Sequence, residues 1–481
     1  MQYDREAMAP SRKCVAALAK LVALAVLALA CAPGAQVMKP KRIVLVTLDT
    51  TRADHLSAYG YDLQTSPWFD RMAAEGVLFE HAYAQSATTK PSHSSLFTSL
   101  YPIQHGVQSN ALVLEEQFVT WAEVLADAGY QTAAFTSVGV PLGGNVRQGF
   151  QKWDDPGEEY SHAESGEPVY RPARVTVDAA IDWLGRESDP ELPMFLWVHV
   201  YDAHKPLRAP ERYQRRIEEM VAVEGVDAHQ AHLRSQGILV GKGRYYERGL
   251  VYDAEILYAD TELQRLFDFM ATEGRRDETV WIITADHGQG LGSHDHFGHS
   301  VQVYNAQLHV PLVFWSSVGA FGQRRVDDVI VELTDILPTL LDILGLARLQ
   351  QVMPVQGETL WTYLQGRAPR QRRLFAYSER SRYPATPKRL EKSNYEAGSR
   401  YSYQDLAYKY LLFTEGPDEF YDLSADPYEL VNLIESEDYA EIRDLFRDRL
   451  VDLVANTESG ATPGSVSQEA MEQLRALGYV Q

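Results

Sequence analysis

IVLVTLDTTRAD, residues 43–54, begins with six apolar or β-branched residues and turns polar at Asp49. A run of this length and composition predicts a buried β-strand that ends where the polar residues begin. Two later segments repeat the design, and each runs from apolar residues into a polar cluster: MFLWVHV (194–200) before YDAHKP, and TVWIIT (279–284) before ADHG. The sequence therefore predicts three buried strands that each end in reactive side chains.

Helical patterns separate these predicted strands. Residues 115–130 and 252–274 are amphipathic, each with a glycine near its end. Residues 332–345 form a third predicted helix, which Pro338 is expected to interrupt. Alternating strands and helices predict an α/β fold, a mostly parallel central sheet flanked by helices. Ligands of such sheets bind beyond the carboxyl ends of the strands, and all three polar clusters fall there.

The C-terminal part of the chain has a different pattern. Short aromatic segments, LFAYSE, YKYLLFT and EFYDLSADPYE, are separated by turns, and a closing helix is predicted near 439–455. We therefore predict a catalytic domain over 41–350, a linker over 351–374 and a small antiparallel α+β subdomain over 375–481.

The N-terminal residues 1–31 resemble an export signal. Arg12 and Lys13 precede an apolar stretch, and small residues lead to Cys31, as in a bacterial lipoprotein signal. Plain secretion and an uncleaved membrane anchor are the alternatives. We expect an exported, periplasmic or cell-surface protein with a lipid anchor to the membrane through Cys31, and a linker over 32–40.

Charge and cysteine content restrict the chemistry. The chain has 45 Lys and Arg against 66 Asp and Glu, a formal net charge of −21. This charge argues against a nucleic-acid partner and means that local cations, above all a metal, must attract an anionic substrate. The two cysteines, Cys14 and Cys31, both lie in the predicted signal, so the mature body has no disulfide and no thiol chemistry.

The strand ends predict a metal site. Asp49 and Asp286 end buried strands, where a carboxylate needs a partner or a cation. Four histidines fall within thirteen residues: His287, His294, His296 and His299. For Asp286 and His287, at a strand end, we predict metal ligation, whereas an ordinary surface or core role is the better account of His296.

Residues 88–95, TTKPSHSS, contain five hydroxyls and one imidazole around a proline. Such hydroxyls at the start of a helix usually cap orphan amides. From these residues alone, the segment is either a helix cap or the position of a nucleophile.

The chain resembles the sulfatase family of the alkaline-phosphatase-like superfamily over nearly all of residues 41–435. Six segments carry this resemblance, in the family's order: LVTLDTTRADHLSAYGY, ATTKPSHSSLFTSLYPIQHGV, HVYDAHKP, TADHGQGLGSH, FGH and YDLSADPYELVN. The resemblance implies the sulfatase fold, with the C-terminal subdomain completing it.

The resemblance also implies roles for particular residues. Asp49, Asp286 and His287 match metal ligands. Thr89 occupies the position of the nucleophile in the family's pattern nucleophile-x-Pro-Ser-Arg, and it would also bind the metal. His93 occupies the position of the arginine in that pattern. Ser92 and Ser94 then become the predicted caps of the following helix.

Further positions are carried over by motif. His204 matches the histidine of the family's His-x-Pro element, and His299 replaces a lysine common in sulfatases, so both are predicted to serve the substrate and leaving group by imidazoles that titrate near neutrality. Asn110 and Arg52 are predicted substrate contacts, although a surface turn explains Asn110 equally well. A competing account places a second metal on Asp202, His204 and His299.

The departures from the family pattern restrict the reaction. Classical sulfatases convert a cysteine or serine to formylglycine at the nucleophile position, and Thr89 cannot yield that aldehyde. Its covalent intermediate must be broken by water attacking the transferred group, which favours phosphate or phosphonate esters. The family's Gly-Lys-x-His motif is missing, with residues 133–139 in its place. Two carboxylates, one imidazole and one hydroxyl suit Mn, Zn or Mg better than Ca.

We therefore expect an exported, metal-dependent hydrolase of sulfate or phosphate and phosphonate esters. Its substrate would be a small-molecule, glycan-linked or lipid-linked anionic ester. One alternative is a transferase of phosphoryl-linked head groups, which the lack of a set of membrane-spanning helices before the domain disfavours. The other is a non-catalytic binding protein, disfavoured because both metal aspartates and the nucleophile position are retained.

Overall fold

The strand predicted from residues 43–48 lies inside the main sheet, as Arg42–Leu48. The structure, a computed structural model, describes ten segments: 39–139, 145–156, 170–241, 244–275, 277–317, 321–322, 324–351, 353–369, 373–381 and 398–460. They belong to one compact unit, Lys39–Gln481. The predicted export signal, most of the linker that follows it and the chain beyond 460 lie outside the described residues.

Nine strands form the main sheet. In chain order they are β1 Arg42–Leu48, β2 Val77–Tyr83, β3 Gln131–Thr136, β4 Lys152–Asp154, β5 Met194–Val200, β6 Thr279–Ala285, β9 His309–Ser316, β10 Arg324–Val326 and β11 Val331–Glu332, with β7 Gly290–Leu291 and β8 Phe297–Gly298 forming a separate ribbon. The order is β10-β2-β9-β6-β1-β5-β3-β4, with β11 on β2. Only β9 runs antiparallel to its neighbours, β2 and β6, so the predicted mostly parallel sheet is confirmed.

Every residue of β5 and β6 is buried, because helices cover both faces of the sheet. The helices of the described chain are α1 Pro67–Glu75, α2 Thr89–Thr98, α3 Pro102–His105, α4 Trp121–Asp127, α5 Ala173–Arg186, α6 Glu211–Glu224, α7 Val226–Ser235, α8 Tyr245–Thr272, α9 Asn305–Leu308, α10 Ile336–Ile343, α11 Trp361–Leu364 and α12 Ala440–Gly460. Short 3-10 turns occur at Ala53–His55, Ser57–Tyr59, Asn145–Arg147, Ser293–Asp295, Leu333–Asp335, Ala347–Gln351 and Glu437–Tyr439. Among these helices, none is both long and apolar enough to cross a membrane.

The predicted helix boundaries need correction. The helix predicted over 115–130 begins only at Trp121, because Thr120 caps it: Glu123 N donates to Thr120 Oγ1 at 3.3 Å. The helix predicted from 252 begins seven residues earlier, at Tyr245. In the third helix, Pro338 lies in the first turn, where its missing N–H costs nothing, so it does not interrupt α10.

The C-terminal antiparallel sheet is confirmed, with four strands instead of the three predicted. They are β12 Ala376–Arg380, β13 Arg400–Gln404, β14 Tyr408–Phe413 and β15 Glu419–Asp422. Aromatic residues of this sheet pack with Phe446 and Leu450 of α12 and with Tyr101 of the catalytic part.

Buried ion pairs tie this sheet to the rest of the chain. Arg373 Nη1 lies 2.8 Å from Glu332 Oε2, and its Nη2 lies 2.6 Å from Asp335 Oδ1. Glu332 Oε1 also accepts from Tyr377 N at 2.6 Å. The segment predicted as a linker is therefore packed against the fold where the structure describes it, and Leu364 within it is fully buried.

Candidate active site

The register of the central strands brings the predicted metal ligands together. Leu48, the last residue of β1, is paired with Val200 on one side and with Ala285 on the other. The next residues, Asp49 after β1 and Asp286 after β6, therefore leave the sheet side by side. The site lies beyond the carboxyl ends of parallel strands, as predicted.

Asp49, Asp286 and His287 form a possible metal-ligand group. Each offers one ligand atom, and these three atoms lie within 4.8 Å of one another. All three side chains are at most 1% exposed. Within the part of the chain that the structure describes, this is the one group of His, Cys, Asp or Glu side chains with such geometry.

The carboxylates of this group lack the donors that a buried anion needs. Neither oxygen of Asp49 has a hydrogen-bond partner, and Asp286 Oδ2 has none. Burial raises the pKa of Asp49 to about 7, and burial together with the charge of Asp49 raises the pKa of Asp286. Buried carboxylate oxygens without donors are stabilised by a cation, so the residues present fit a divalent metal.

The turn after β1 holds Asp286 in place from one side. Thr50 has φ 54, the left-handed conformation, and its amide donates to Asp286 Oδ1 at 3.1 Å. Tyr252 fixes this turn, since its hydroxyl donates to Thr50 O at 2.8 Å and accepts from Arg52 N at 2.9 Å. Through this one tyrosine, the long helix α8 thus positions a predicted metal ligand.

Close packing at Gly288 fixes the orientation of His287. A Cβ at Gly288 would lie 2.4 Å from Ala306 O, so only glycine fits there. Its carbonyl lies 3.0 Å from His287 Nδ1. In the tautomer that donates there, the lone pair of Nε2 is left for a metal or a hydroxyl.

Thr89 is the first residue of α2 and faces this nitrogen. Its Oγ1 lies 3.4 Å from His287 Nε2, and the side chain is 2% exposed. Ser92 Oγ donates to Asp286 O at 2.6 Å, which fastens the first turn of the helix to the end of β6. The structure therefore brings the predicted nucleophile to the predicted metal ligands.

The predicted capping role of Ser92 and Ser94 is wrong. Both residues lie inside α2, because the helix already begins at Thr89 with Pro91 in its first turn. The N-cap residue, Thr88, forms no side-chain capping bond. Instead Asn110 Oδ1 accepts from Lys90 N at 2.9 Å, so a distant loop satisfies this amide.

Asn110 therefore lies beside the nucleophile, as a cap of the helix. Arg52 is less accessible, since its guanidinium pairs with both oxygens of Asp54 at 2.7 and 2.6 Å. A further nitrogen contacts Gln289 O and Ser293 Oγ. The contacts of Arg52 are structural, and a substrate contact by either residue stays a prediction.

His93 lies next to Thr89 and to the predicted metal ligand Asp286. Its Nδ1 is 2.8 Å from Thr89 O and 3.7 Å from Asp286 Oδ2, and it is fully buried. Burial and the neighbouring His199 lower the pKa of His93 to about 3. A neutral imidazole therefore stands where the family pattern has arginine.

His199 was not among the predicted site residues. It lies on β5 with Nε2 3.4 Å from Asp49 Oδ2, and its Nδ1 is 2.8 Å from Thr47 Oγ1. The hydroxyl of Thr47 also accepts from Trp197 Nε1 at 2.9 Å. These polar residues of β1 and β5 lie next to the predicted metal ligand Asp49. In the sequence, the histidine within the apolar run MFLWVHV was the signal that could have identified His199.

His204 and His299 form the other wall of the site. The ring of His299 lies between His204 and His287, at centroid distances of 4.7 and 4.8 Å. The expectation that both imidazoles titrate near neutrality is wrong for the site without substrate. Burial lowers the pKa of His204 to about 3 and that of His299 well below its usual value.

The second metal on Asp202, His204 and His299 is not supported. Both oxygens of Asp202 lie within 3.1 Å of Ala173 N, at the start of α5. Asp202 therefore serves a helix terminus, and in the described chain these three residues do not form a ligand group.

Two family models match most of the chain. Residues 41–346 match the model described as Sulfatase, and 292–456 match the model described as N-sulphoglucosamine sulphohydrolase, C-terminal. The first match covers well over half of the chain.

The chain belongs to the sulfatase family.

Curated relatives cover most of this sulfatase-family chain. An arylsulfatase of Clostridium perfringens is 26% identical over 89% of this chain and 97% of its own. A multifunctional alkaline phosphatase superfamily protein, PehA, of Trinickia caryophylli is 25% identical over 84% and 93%. The solved phosphonate monoester hydrolase of Agrobacterium radiobacter has a TM-score of 0.69 and 24% identity over 87% and 96% of the two chains, a likeness that shows the fold.

One buried cation was missed among the site residues of this sulfatase-family chain. Lys90 follows Thr89 directly and is 5% exposed, and burial lowers the pKa of its ammonium group. Among the described residues no carboxylate pairs with it. Since the family's Gly-Lys-x-His lysine is missing here, Lys90 is a candidate source of positive charge beside the nucleophile.

The ligand assignment predicts the metal content of variants. Asp286→Asn and His287→Ala should each lower the metal bound per chain by about tenfold or more at limiting free metal, because each removes one of few ligands. His204→Ala is the matched control and should keep the metal. Elemental analysis of the purified proteins measures this, and full occupancy in both ligand variants, or metal loss in His204→Ala, would contradict the assignment.

Proposed function

We propose that this sulfatase-family hydrolase cleaves sulfate or phosphate and phosphonate esters with Thr89 as nucleophile and one divalent metal. The proposal rests above all on one contact, Thr89 Oγ1 at 3.4 Å from His287 Nε2. This hydroxyl stands beside two carboxylates, Asp49 and Asp286, that have three oxygens without donors. A structural role for the threonine would not require such a cluster.

A threonine hydroxyl is a weak nucleophile unless its pKa is lowered. A divalent cation held by Asp49, Asp286 and His287 would supply this effect and offset the charge on the transferred group. The donor set of two carboxylates, one imidazole and one hydroxyl favours Mn, Zn or Mg over Ca.

The helix that begins at Thr89 adds to the electrostatics. Its N-terminal end carries a partial positive charge and points at the region where the ester would bind. Lys90, in the first turn of this helix, adds a buried amino group to the same end. Together they replace part of the cationic character that the family's arginine and lysine provide.

The reaction proceeds in two displacements. Attack by Thr89 Oγ1 releases the hydroxyl proton and forms a bond to phosphorus or sulfur, while the bond to the alcohol oxygen breaks and that oxygen takes up a proton. Water then attacks the same atom, breaks its bond to the threonine oxygen, and supplies the proton that restores the hydroxyl.

The second displacement makes phosphate and phosphonate esters the preferred class. Formylglycine chemistry avoids an attack on sulfur by water, and threonine has no such route. An arylsulfatase among the relatives and a phosphonate monoester hydrolase among the solved structures are consistent with either kind of ester. An N-acetylglucosamine-6-O-sulfatase of Bacteroides thetaiotaomicron, 23% identical, supports a glycan-linked ester as one substrate class.

His204 and His299 are proposed to serve the leaving group. The ring of His299 lies between those of His287 and His204, at centroid distances of 4.8 and 4.7 Å. A bound anion favours the imidazolium and so opposes the effect of burial on both pKa values. Export and a lipid anchor at Cys31 are also part of the proposal and rest on the resemblance of residues 1–31 to a signal.

Removal of the Thr89 hydroxyl should abolish turnover. Thr89→Ala is expected to lower kcat/KM by roughly four orders of magnitude or more, as deletion of a nucleophile does. The assay uses nitrophenyl sulfate, phosphate, phosphodiester and phosphonate with Mn, Zn, Mg and Ca in turn. Ser94→Ala, on the same helix, is the matched control, because the Ser94 hydroxyl has no hydrogen-bond partner and the variant should keep the wild-type rate.

Retention of more than a few per cent of activity in Thr89→Ala would show that another group attacks. Failure of the wild type on every ester and metal would favour the non-catalytic alternative.

The leaving-group role predicts a dependence on substrate reactivity. His204→Ala and His299→Ala should lose about 10² in rate or more with phenyl esters, which need protonation of the alcohol oxygen, and about tenfold less with nitrophenyl esters. His232→Ala, on the helix Val226–Ser235, is the control and should behave as wild type with both. Equal losses with both esters would instead indicate a role in binding or folding.

A further inference from the structure

An open groove of about 520 Å³ lies next to the histidine wall of the site. Three segments line it: the loop after β5, the start of α8 and strand β8. The residues that matter are Lys205, Leu207, Arg244, Glu247, Arg248 and Phe297. None of these residues is a proposed metal ligand or the proposed nucleophile.

The groove is joined to the site by the chain itself. Lys205 directly follows His204, and Phe297 precedes His299 by two residues. Lys205 Nζ donates to Phe297 O at 3.0 Å, which connects the two segments. A molecule whose ester bond lies against His204 and His299 would therefore extend its alcohol part towards this groove.

An aromatic ring holds two of the cations in the groove. Arg248 Cζ lies 5.0 Å and Lys205 Nζ 5.2 Å from the centre of the Phe297 ring, and Tyr245 stacks on it at 5.8 Å. These cation–π contacts orient the charged groups. Because the ring is neutral, it does not cancel the charge of Arg248 as a carboxylate would.

The charge balance of the groove differs from that of the whole chain. Among the described residues that line the groove, Arg244 and Arg248 lie beside one carboxylate, Glu247, whereas the whole chain carries −21. In the described chain, neither Arg244 nor Arg248 forms an ion pair, and both are exposed. Positive charge left uncompensated in an acidic protein is suited to an anionic ligand.

We propose that this groove binds the alcohol part of the ester and that Arg244 and Arg248 recognise a second anionic group on it. The substrate class is thus an ester whose alcohol carries a further carboxylate, sulfate or phosphate. Guanidinium groups bind such groups through paired, charge-assisted hydrogen bonds. This inference rests on the proposed ester hydrolysis and names its substrate class.

Two esters of the same acid test it: a nitrophenyl ester and the same ester with a carboxylate on the ring. The acid is the one whose nitrophenyl ester the wild type cleaves fastest. The readout is the ratio of kcat/KM for the carboxylated ester to kcat/KM for the plain ester. Comparing this ratio between variants cancels the intrinsic difference in reactivity.

Arg244→Gln and Arg248→Gln should each lower this ratio by about tenfold, equivalent to ~1.4 kcal/mol. Phe297→Leu should lower it too, since Arg248 and Lys205 lose the ring that orients them. Raising the salt concentration should reduce the wild-type ratio, because exposed charges are screened. Arg216→Gln is the matched control. Arg216 is an exposed arginine on α6, away from the groove, and pairs with Glu219 on the same helix. Its variant should leave the ratio unchanged.

The outcomes separate this inference from the proposed function. Turnover of both esters with a ratio that Arg244→Gln and Arg248→Gln leave unchanged would overturn the groove assignment alone. A ratio that falls equally in Arg216→Gln would also overturn it, since general electrostatics would then explain the preference. If the wild type turned over neither ester, the result would contradict the proposed function and the groove assignment together.

Discussion

The structure depends on two buried carboxylates that end neighbouring parallel strands. Asp49 and Asp286 stand side by side because Leu48 and Ala285 are in register, and three of their four oxygens have no donor. An arrangement of this kind is unfavourable in a folded protein unless a cation is present. Two neighbouring features serve these carboxylates. Thr50 adopts a left-handed conformation in which its amide donates to Asp286 Oδ1, and His287 offers a third ligand atom for a cation.

The same strand ends also explain the placement of Thr89, the proposed nucleophile. The helix Thr89–Thr98 is fastened to the end of β6 by Ser92, and its amide end is completed by Asn110. In the proposed mechanism, a metal held by the neighbouring carboxylates and His287 would supply the reactivity that the hydroxyl of Thr89 lacks. The same proposal needs water for the second step, and on that ground it favours phosphate and phosphonate esters.

The sequence was sufficient to predict the strands β1, β5 and β6 to within one residue, because continuous apolar runs are typical of strands buried on both faces. The candidate ligands Asp49, Asp286 and His287 directly follow such runs, and the structure brings these three side chains together, while metal binding stays a prediction. β13, RYSYQ, could not be predicted because its alternating polar residues are buried only by pairing with β12 and β14. The histidine of MFLWVHV is visible in the sequence, but its place beside Asp49 and the groove around Phe297 depend on contacts between distant segments, which no local pattern encodes.

The most direct test of the central claim is a search for a covalent intermediate on Thr89. The enzyme is mixed with the ester that it cleaves fastest, quenched in acid during turnover, digested and analysed by mass spectrometry. The account predicts a peptide containing Thr89 that gains the mass of one phosphoryl, phosphonyl or sulfuryl group, and no such peptide in Thr89→Ala. A modified peptide from elsewhere in the chain would contradict it, as would an adduct that persists in Thr89→Ala.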